Sequence, residues 1–153
     1  MRFSDIDLII YDFDGVMTDN RVTVDENGVE AVAVHRGDGL AIGLFKDQGI
    51  AQVIISKERN PVVSARGQKL GIPVLQGIDA KQQAVEAYVR EHGLDLTRTM
   101  YVGNDINDLD AMQIVGHPVA PNDAHVKILD LARHVTAAKG GYGVVRELFD
   151  LFD

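Results

Sequence analysis

The stretch Ile6–Asp19, IDLIIYDFDGVMTD, decides how this chain folds. Its apolar part, closed by Tyr11, reads as a buried strand that carries Asp12 and Asp14 to its carboxyl end. Residues two apart on an extended chain point to the same side. Gly15 then lets the backbone turn sharply, so both carboxylates can face one small volume. Crowded acids repel unless a cation separates them. The economical expectation is a Mg2+ site beside a nucleophilic carboxylate; the plainer alternative is an acidic turn after a core strand.

Outward from this stretch, strands and helices alternate. RVTVDENGVEAVAVH (21–35) holds two alternating runs around Asn27-Gly28, the pattern of a β-hairpin. The spacing of Leu40, Ile42, Leu44 and Phe45 predicts a helix from about Gly39 to Gln48, stopped by Gly49. AQVIIS (51–56) reads as a buried strand, and Pro61–Leu70 as a helix with proline at its start and Gly71 past its end. PVLQG (73–77) is a short strand, followed by a helix Asp79–His92 capped by Asp79 and ended by Gly93. Next come strand TMYVG (99–103), helix Asp108–Val115, strand HPVAP (117–121), helix Asp123–Arg133 and strand HVTA (134–137). Flexible glycines at 140–143 precede a terminal helix, Val144–Phe152. The alternation predicts an α/β fold, with a Rossmann-like, mainly parallel sheet covered by helices on both faces. One domain is expected over residues 1–153.

In such sheets, ligands sit at the carboxyl ends of strands. Asp12, Asp14, Ser56, Asn104, Asp105 and Asp108 all fall just after predicted strands, and Lys81 meets the same rim from the start of a helix. That convergence fits phosphoryl transfer, which needs an in-line nucleophile, neutralisation of the phosphate and a proton for the leaving alcohol. Asp12 can attack phosphorus to give an aspartyl phosphate. Asp14 can serve as acid and then base. Ser56 offers a hydroxyl, unless it is only a helix cap, and Lys81 a compact charge, unless it is only a solvated lysine. Mg2+ takes oxygen ligands, here from Asp12, a backbone carbonyl at Asp14 and the Asn104–Asp108 loop. A signalling receiver also combines acids, a hydroxyl and a lysine, but its lysine comes last, whereas Lys81 precedes the second acidic cluster.

Composition narrows the class. The 153 residues are 46% hydrophobic and include no cysteine, so there is no disulfide framework and no thiolate metal site. No apolar run is long enough to span a bilayer, and the reading is a soluble cytoplasmic protein without a membrane partner. A net charge of −8 argues against nucleic acid. It also requires local cations for an anionic substrate; Lys57, Arg59, Arg66, Lys69 and Lys81 are candidates. The five histidines show no metal-ligand spacing.

Asp12-Phe-Asp-Gly-Val-Met-Thr-Asp19, Ser56, Lys81 and Gly103-Asn-Asp-Ile-Asn-Asp108 resemble the four motifs of haloacid dehalogenase superfamily phosphohydrolases. Arg36-Gly-Asp-Gly39, Val62–Gly71, Leu75-Gln-Gly77, Val119–Ala124 and Gly140–Glu147 extend the resemblance to its capless sugar-acid phosphatases. These act on Kdo 8-phosphate or on nonulosonate 9-phosphates. The resemblance implies Mg2+, a homotetramer and a sugar phosphate as the small-molecule substrate. It also implies a hairpin (21–35) that joins neighbouring subunits and helps to lid an adjacent site. Gly15, Lys57, Glu58, Arg66 and Arg146 become candidate substrate contacts, Arg146 toward a carboxylate.

The motifs depart from the pattern in two places. Kdo 8-phosphate phosphatases usually carry Gly-Arg after the second-motif hydroxyl; this chain has Lys57-Glu58, as in the nonulosonate enzymes. The expected substrate is therefore sialic acid or Kdn 9-phosphate, with Kdo 8-phosphate as an alternative. The run Ser56–Arg66 with Val102-Gly-Asn-Asp105 also resembles the phosphatase-like module behind acylneuraminate cytidylyltransferases, so a further alternative is a tetramerising or regulatory module of weak activity, fused to a cytidylyltransferase domain of a CMP-sialate synthetase. The position after Gly103, commonly Asp, is Asn104. It supplies oxygen without charge, so Asn104 leads as metal ligand with Asp105 next, and Asp108 is expected to steady the loop or Lys81.

Overall fold

The apolar run of the opening strand has two faces, and both are buried. The computed structural model describes residues 1–152. In chain order its strands are β1 (Leu8–Tyr11), β2 (Thr23–Val24), β3 (Glu30–Ala31), β4 (Ala51–Ile55), β5 (Val74–Leu75), β6 (Thr99–Val102), β7 (His117–Ala120) and β8 (His134–Val135). Its helices are α1 (Arg36–Asp47), α2 (Pro61–Leu70), α3 (Lys81–Glu91), α4 (Leu109–Ile114), α5 (Val126–Leu131) and α6 (Val144–Phe149). Six strands pair in parallel in the order β5-β4-β1-β6-β7-β8. Because successive side chains alternate across a strand, Ile9 and Tyr11 enter one apolar layer while Leu8 and Ile10 enter the other. The first layer gathers residues of α1, α2 and α6; the second gathers residues of α3, α4 and α5.

β1 is the point where the strand order reverses, with β4 on one side and β6 on the other. Loops leaving neighbouring strands diverge there and open a crevice at their carboxyl ends. Asp12 sits at that crevice.

Several helix starts differ from the sequence expectation. α1 begins at Arg36 rather than near Gly39, because the His35 ring caps it: Nδ1 accepts from the Gly37 amide at 3.1 Å. Asp79 does not cap α3; the cap position is Ala80, which has no side chain to do so, and Asp79 is turned toward the crevice. α5 starts at Val126 behind a His125 cap, not at Asp123. Asp123 instead accepts from the Gly140 amide at 3.0 Å.

The hairpin forms, but β2 and β3 are only two residues each. Asp25 Oδ1 accepts from the Asn27 and Val29 amides, both at 2.9 Å, and closes the turn. Val32 and Val34 root the hairpin in the core, while Val22, Val24 and Val29 are 47, 59 and 62% exposed.

The glycines at 140–143, expected to be flexible, are pinned. Glu147 accepts from the Ala137 and Ala138 amides with its two oxygens, each at 2.7 Å. Gly141 donates to the Val16 carbonyl at 3.0 Å. A Cβ on Gly140 would lie 2.1 Å from the Gly15 carbonyl oxygen, and one on Gly141 would lie 2.5 Å from the Asp19 nitrogen. The tail is thus a strap drawn tight against the loop that carries Asp14. Replacing Gly140 by alanine must push strap and loop apart, an overpacking that costs about 1–3 kcal/mol. Urea denaturation is expected to show that loss, and an unchanged midpoint would mean that the strap yields freely.

Candidate active site

β1 ends at Tyr11, and the next backbone amide, that of Asp12, still donates to the Val102 carbonyl of β6 at 2.9 Å. The Asp12 main chain is therefore fixed by the sheet. Its carboxylate is fixed as well: Oδ1 accepts from the Phe13 amide at 2.8 Å and pairs with Lys81 Nζ at 2.9 Å. Lys81, 3% exposed, is shared with Asp108 Oδ1 at 2.7 Å. That oxygen also accepts from the Tyr101 hydroxyl at 2.8 Å, and Oδ2 accepts from the Asn104 and Asp105 amides at 3.0 and 3.2 Å. Asp108 accordingly holds both Lys81 and the Asn104–Asp105 loop, with no surface of its own.

One ammonium between two buried carboxylates leaves an excess of negative charge. Burial and the neighbouring Asp108 carboxylate push Asp12 up to about 7, with Lys81 pulling the other way. Burial works against the Lys81 charge, but Asp12 and Asp108 outweigh it and hold the ammonium above the ordinary lysine range. Asp14 is raised by burial and by the Glu58 charge beside it. A carboxyl group raised in this way keeps its proton for longer, which suits a general acid. Thr18 Oγ1 donates to Asp14 Oδ1 at 3.4 Å and accepts from the Gly15 and Asn20 amides, which braces the turn.

A cleft of about 390 Å³ opens over these groups. Asp12, Asp14, Ser56, Lys57, Glu58, Asn104 and Asp105 line it, as the sequence reading placed them. Ser56 Oγ accepts from the Glu58 amide at 3.1 Å, and among the described residues its own O–H donates to no protein group. Gly15 fits its place for two reasons. Its φ is +85°, and a Cβ there would sit 1.9 Å from the Asn104 amide.

Arg66 and Arg146 lie outside this cleft. Arg66 reaches the His35 carbonyl at 3.3 Å; the Arg146 guanidinium meets Asp150, and its amide donates to Asp38 Oδ1 at 3.0 Å. Neither lines the cleft beside Asp12. Asn20, Asp79 and Asn107 line the cleft without having been singled out as site residues, and Arg59, counted only as a spare cation, lines it too. Asn20 could have been noticed: it follows Thr18-Asp19 in the first motif, and its φ of +66° is a left-handed turn that asparagine tolerates. Tyr101 gave no signal beyond its place in an apolar strand.

Among the described residues, no cluster of three His, Cys, Asp or Glu side chains is arranged for a metal. The donors that do converge are of mixed kind. One terminal atom of the Asn104 amide lies 3.0 Å from Asp12 Oδ2 and 3.0 Å from the Asp14 main-chain oxygen. With the amide oxygen in that place, three oxygens face one point, the donor set that a hard divalent cation takes. The Asp105 carboxylate is turned aside to accept from its neighbour Ile106 at 2.7 Å. The residues present fit Mg2+, which Asp12, Asn104 and the Asp14 carbonyl would hold. The wall charges call for it: Asp12, Asp14, Glu58, Asp79 and Asp105 outnumber Lys57 and Arg59.

Residues 46–148 match the haloacid dehalogenase-like hydrolase family. The 3-deoxy-D-manno-octulosonate 8-phosphate phosphatase KdsC of Haemophilus influenzae is 31% identical over 151 residues, 98% of this chain and 84% of that protein. Its counterpart in Yersinia pestis is 36% identical, over 98% and 81%. Among solved structures, a HAD family hydrolase from Streptomyces avermitilis superposes with a TM-score of 0.97 at 47% identity, covering 99% of this chain and 87% of that one. The Moraxella catarrhalis 3-deoxy-D-manno-octulosonate 8-phosphate phosphatase, solved with magnesium, phosphate and KDO, gives 0.93 at 29%, over 97% and 86%. Sheet order, rim carboxylates and near full-length similarity agree, and the chain belongs to the haloacid dehalogenase-like hydrolases, among their phosphatases.

Proposed function

We propose that this protein is a Mg2+-dependent phosphatase of a sugar-acid phosphate, with Asp12 as nucleophile. The observation that carries it is the Asp12 carboxylate, with one oxygen on Lys81 and the other facing Asn104 and the Asp14 carbonyl. Bound Mg2+ would neutralise charge on the phosphate and on Asp12. Asp12 forms a bond to phosphorus while the ester P–O bond breaks, and the Asp14 carboxyl protonates the departing alkoxide. Asp14, now a carboxylate, takes a proton from the water that splits the aspartyl phosphate, which restores Asp12 and releases inorganic phosphate. Ser56 donates to a phosphate oxygen, and Lys81 holds Asp12 oriented and anionic. Asp108 and Tyr101 act through Lys81 as positioning groups.

For the substrate, the relatives support 3-deoxy-D-manno-octulosonate 8-phosphate, the compound their names carry. They do not favour the nonulosonate 9-phosphate expected from Lys57-Glu58. One observation keeps that as a second reading: Glu58 lines the cleft next to Ser56, where its carboxylate can accept from hydroxyl or amide groups. A fused cytidylyltransferase draws no support from relatives of which the chain covers 84 and 81%. Among the described residues no helix is long and apolar enough to cross a membrane.

The cleft is open on one side, and water must be kept from an aspartyl phosphate until the leaving group has gone. The exposed valines of the hairpin are poised to meet another subunit, which supports the homotetramer. Arg66 and Arg146, which do not line their own cleft, would reach substrate in this assembly as contributions to a neighbour.

Phosphate release with Mg2+ from Kdo 8-phosphate and from a nonulosonate 9-phosphate tests the reading. A higher kcat/KM is expected for Kdo 8-phosphate; strong preference for the nine-carbon ester would reverse the assignment. Asp12→Asn should lose at least about a thousandfold in rate; equal inertness of wild type and variant would end the enzyme claim. Replacing Val24 by Asp and Val29 by Lys should turn tetramers into smaller species in light scattering, and an unaltered mass would exclude the hairpin as the joint.

A further inference from the structure

The amide of Asn104 is held in a place where either of its ends has work. Its main chain is anchored on both sides: the amide N–H donates to Asp108 Oδ2 at 3.0 Å, and the carbonyl accepts from the His125 amide at 2.8 Å. The side chain is 9% exposed by residue and abuts Gly15, where no Cβ stands in its way. One terminal atom therefore lies between Asp12 Oδ2 and the Asp14 carbonyl, 3.0 Å from each, and both neighbours are acceptors. As an NH2 group that atom donates one hydrogen bond to each. As an oxygen it joins them as a third acceptor, an arrangement that a bound cation stabilises. An ionised aspartate there could offer acceptors only.

We infer that Asn104 is an ion-substituting residue: its NH2 group bridges Asp12 and the Asp14 carbonyl when no cation is bound, and a half-turn of the amide presents its oxygen when Mg2+ enters. The inference deepens the metal-dependent reading above and rests on it. It has two consequences of opposite sign. The ion-free site is internally satisfied, so the protein does not depend on the metal to keep Asp12 and Asp14 together. Entry of the metal must break two hydrogen bonds, one of them charge-assisted, and gains a neutral ligand in place of a charged one. Both effects weaken cation binding relative to a carboxylate at this position, since affinity rises with the charge of the ligands.

The test uses Mg2+ alone, without substrate, on wild type and Asn104→Asp. In EDTA the variant should melt at a lower temperature than wild type, because its carboxyl group must either repel Asp12 or take up a proton with it, and it can no longer donate to both neighbours at once. Isothermal titration should show Mg2+ binding tighter by about tenfold or more, and the rise in melting temperature on adding Mg2+ should be larger in the variant. Should the variant fold only with Mg2+ present, that too is the expected direction. Wild type gives an independent readout: the 15N-labelled side-chain NH2 of Asn104 should be protected from exchange in EDTA and should shift and lose protection on titration with Mg2+. Equal Mg2+ affinities, equal ion-free melting temperatures, or an NH2 signal indifferent to Mg2+ would overturn the inference. If Mg2+ binds as described while no phosphate ester is hydrolysed, the phosphatase reading fails and the role of Asn104 stands.

Discussion

One lysine serves two buried carboxylates, and most of the site depends on that arrangement. Lys81 lies 2.9 Å from Asp12 and 2.7 Å from Asp108, with all three side chains almost wholly withdrawn from water. A buried ion pair stripped of one partner is costly, on the order of 3–5 kcal/mol. The triad therefore needs every member, and it links three distant parts of the chain: the end of β1, the start of α3 and the loop after β6. The remaining lone pairs of Asp108 are taken by Tyr101 and by the Asn104 and Asp105 amides. The structural network and the catalytic one thus share a single carboxylate.

The sheet explains why these parts can meet. With β1 between β4 and β6, loops leaving three neighbouring strands deliver Asp12, Ser56 and Asn104 to one rim. Much of this was legible in the sequence, because apolar runs followed at once by polar residues mark strand ends whatever the strand order is. The order itself was not legible. Neither was Tyr101, since a hydroxyl that donates to Asp108 looks in sequence like any aromatic residue of a buried strand. Asp79 was read as a helix cap because an acid before a helix usually is one. Here the backbone gives Ala80 that position, and the carboxylate of Asp79 joins the cleft wall.

The glycines at 140–143 depart from the sequence expectation for a related reason. Local sequence signals freedom at a glycine pair; tertiary contact decides whether that freedom is used for motion or for close approach. In this fold it is used for approach, with the Gly141 amide on the Val16 carbonyl. Arg66 and Arg146 show the opposite limit. A resemblance can name a residue as a substrate contact, but a single subunit cannot bring it to the cleft if the contact belongs to an assembly.

Charge balance ties the neutral Asn104 to the rest of the cleft. Its walls already carry more carboxylates than cations, and the whole chain has a net charge of −8. A further negative charge 3.0 Å from Asp12 Oδ2 would be repelled by at least several kcal/mol, on the order of 5 at an effective dielectric constant of 20. It would also repel the phosphate dianion whenever the cation is absent. A carboxylate at position 104 would repay this only through tighter hold on the metal. An amide gives up part of that hold and keeps the ion-free cleft closed on itself by hydrogen bonds. With asparagine in place of aspartate at position 104, the ion-free site keeps its stability in the protein rather than in the cation.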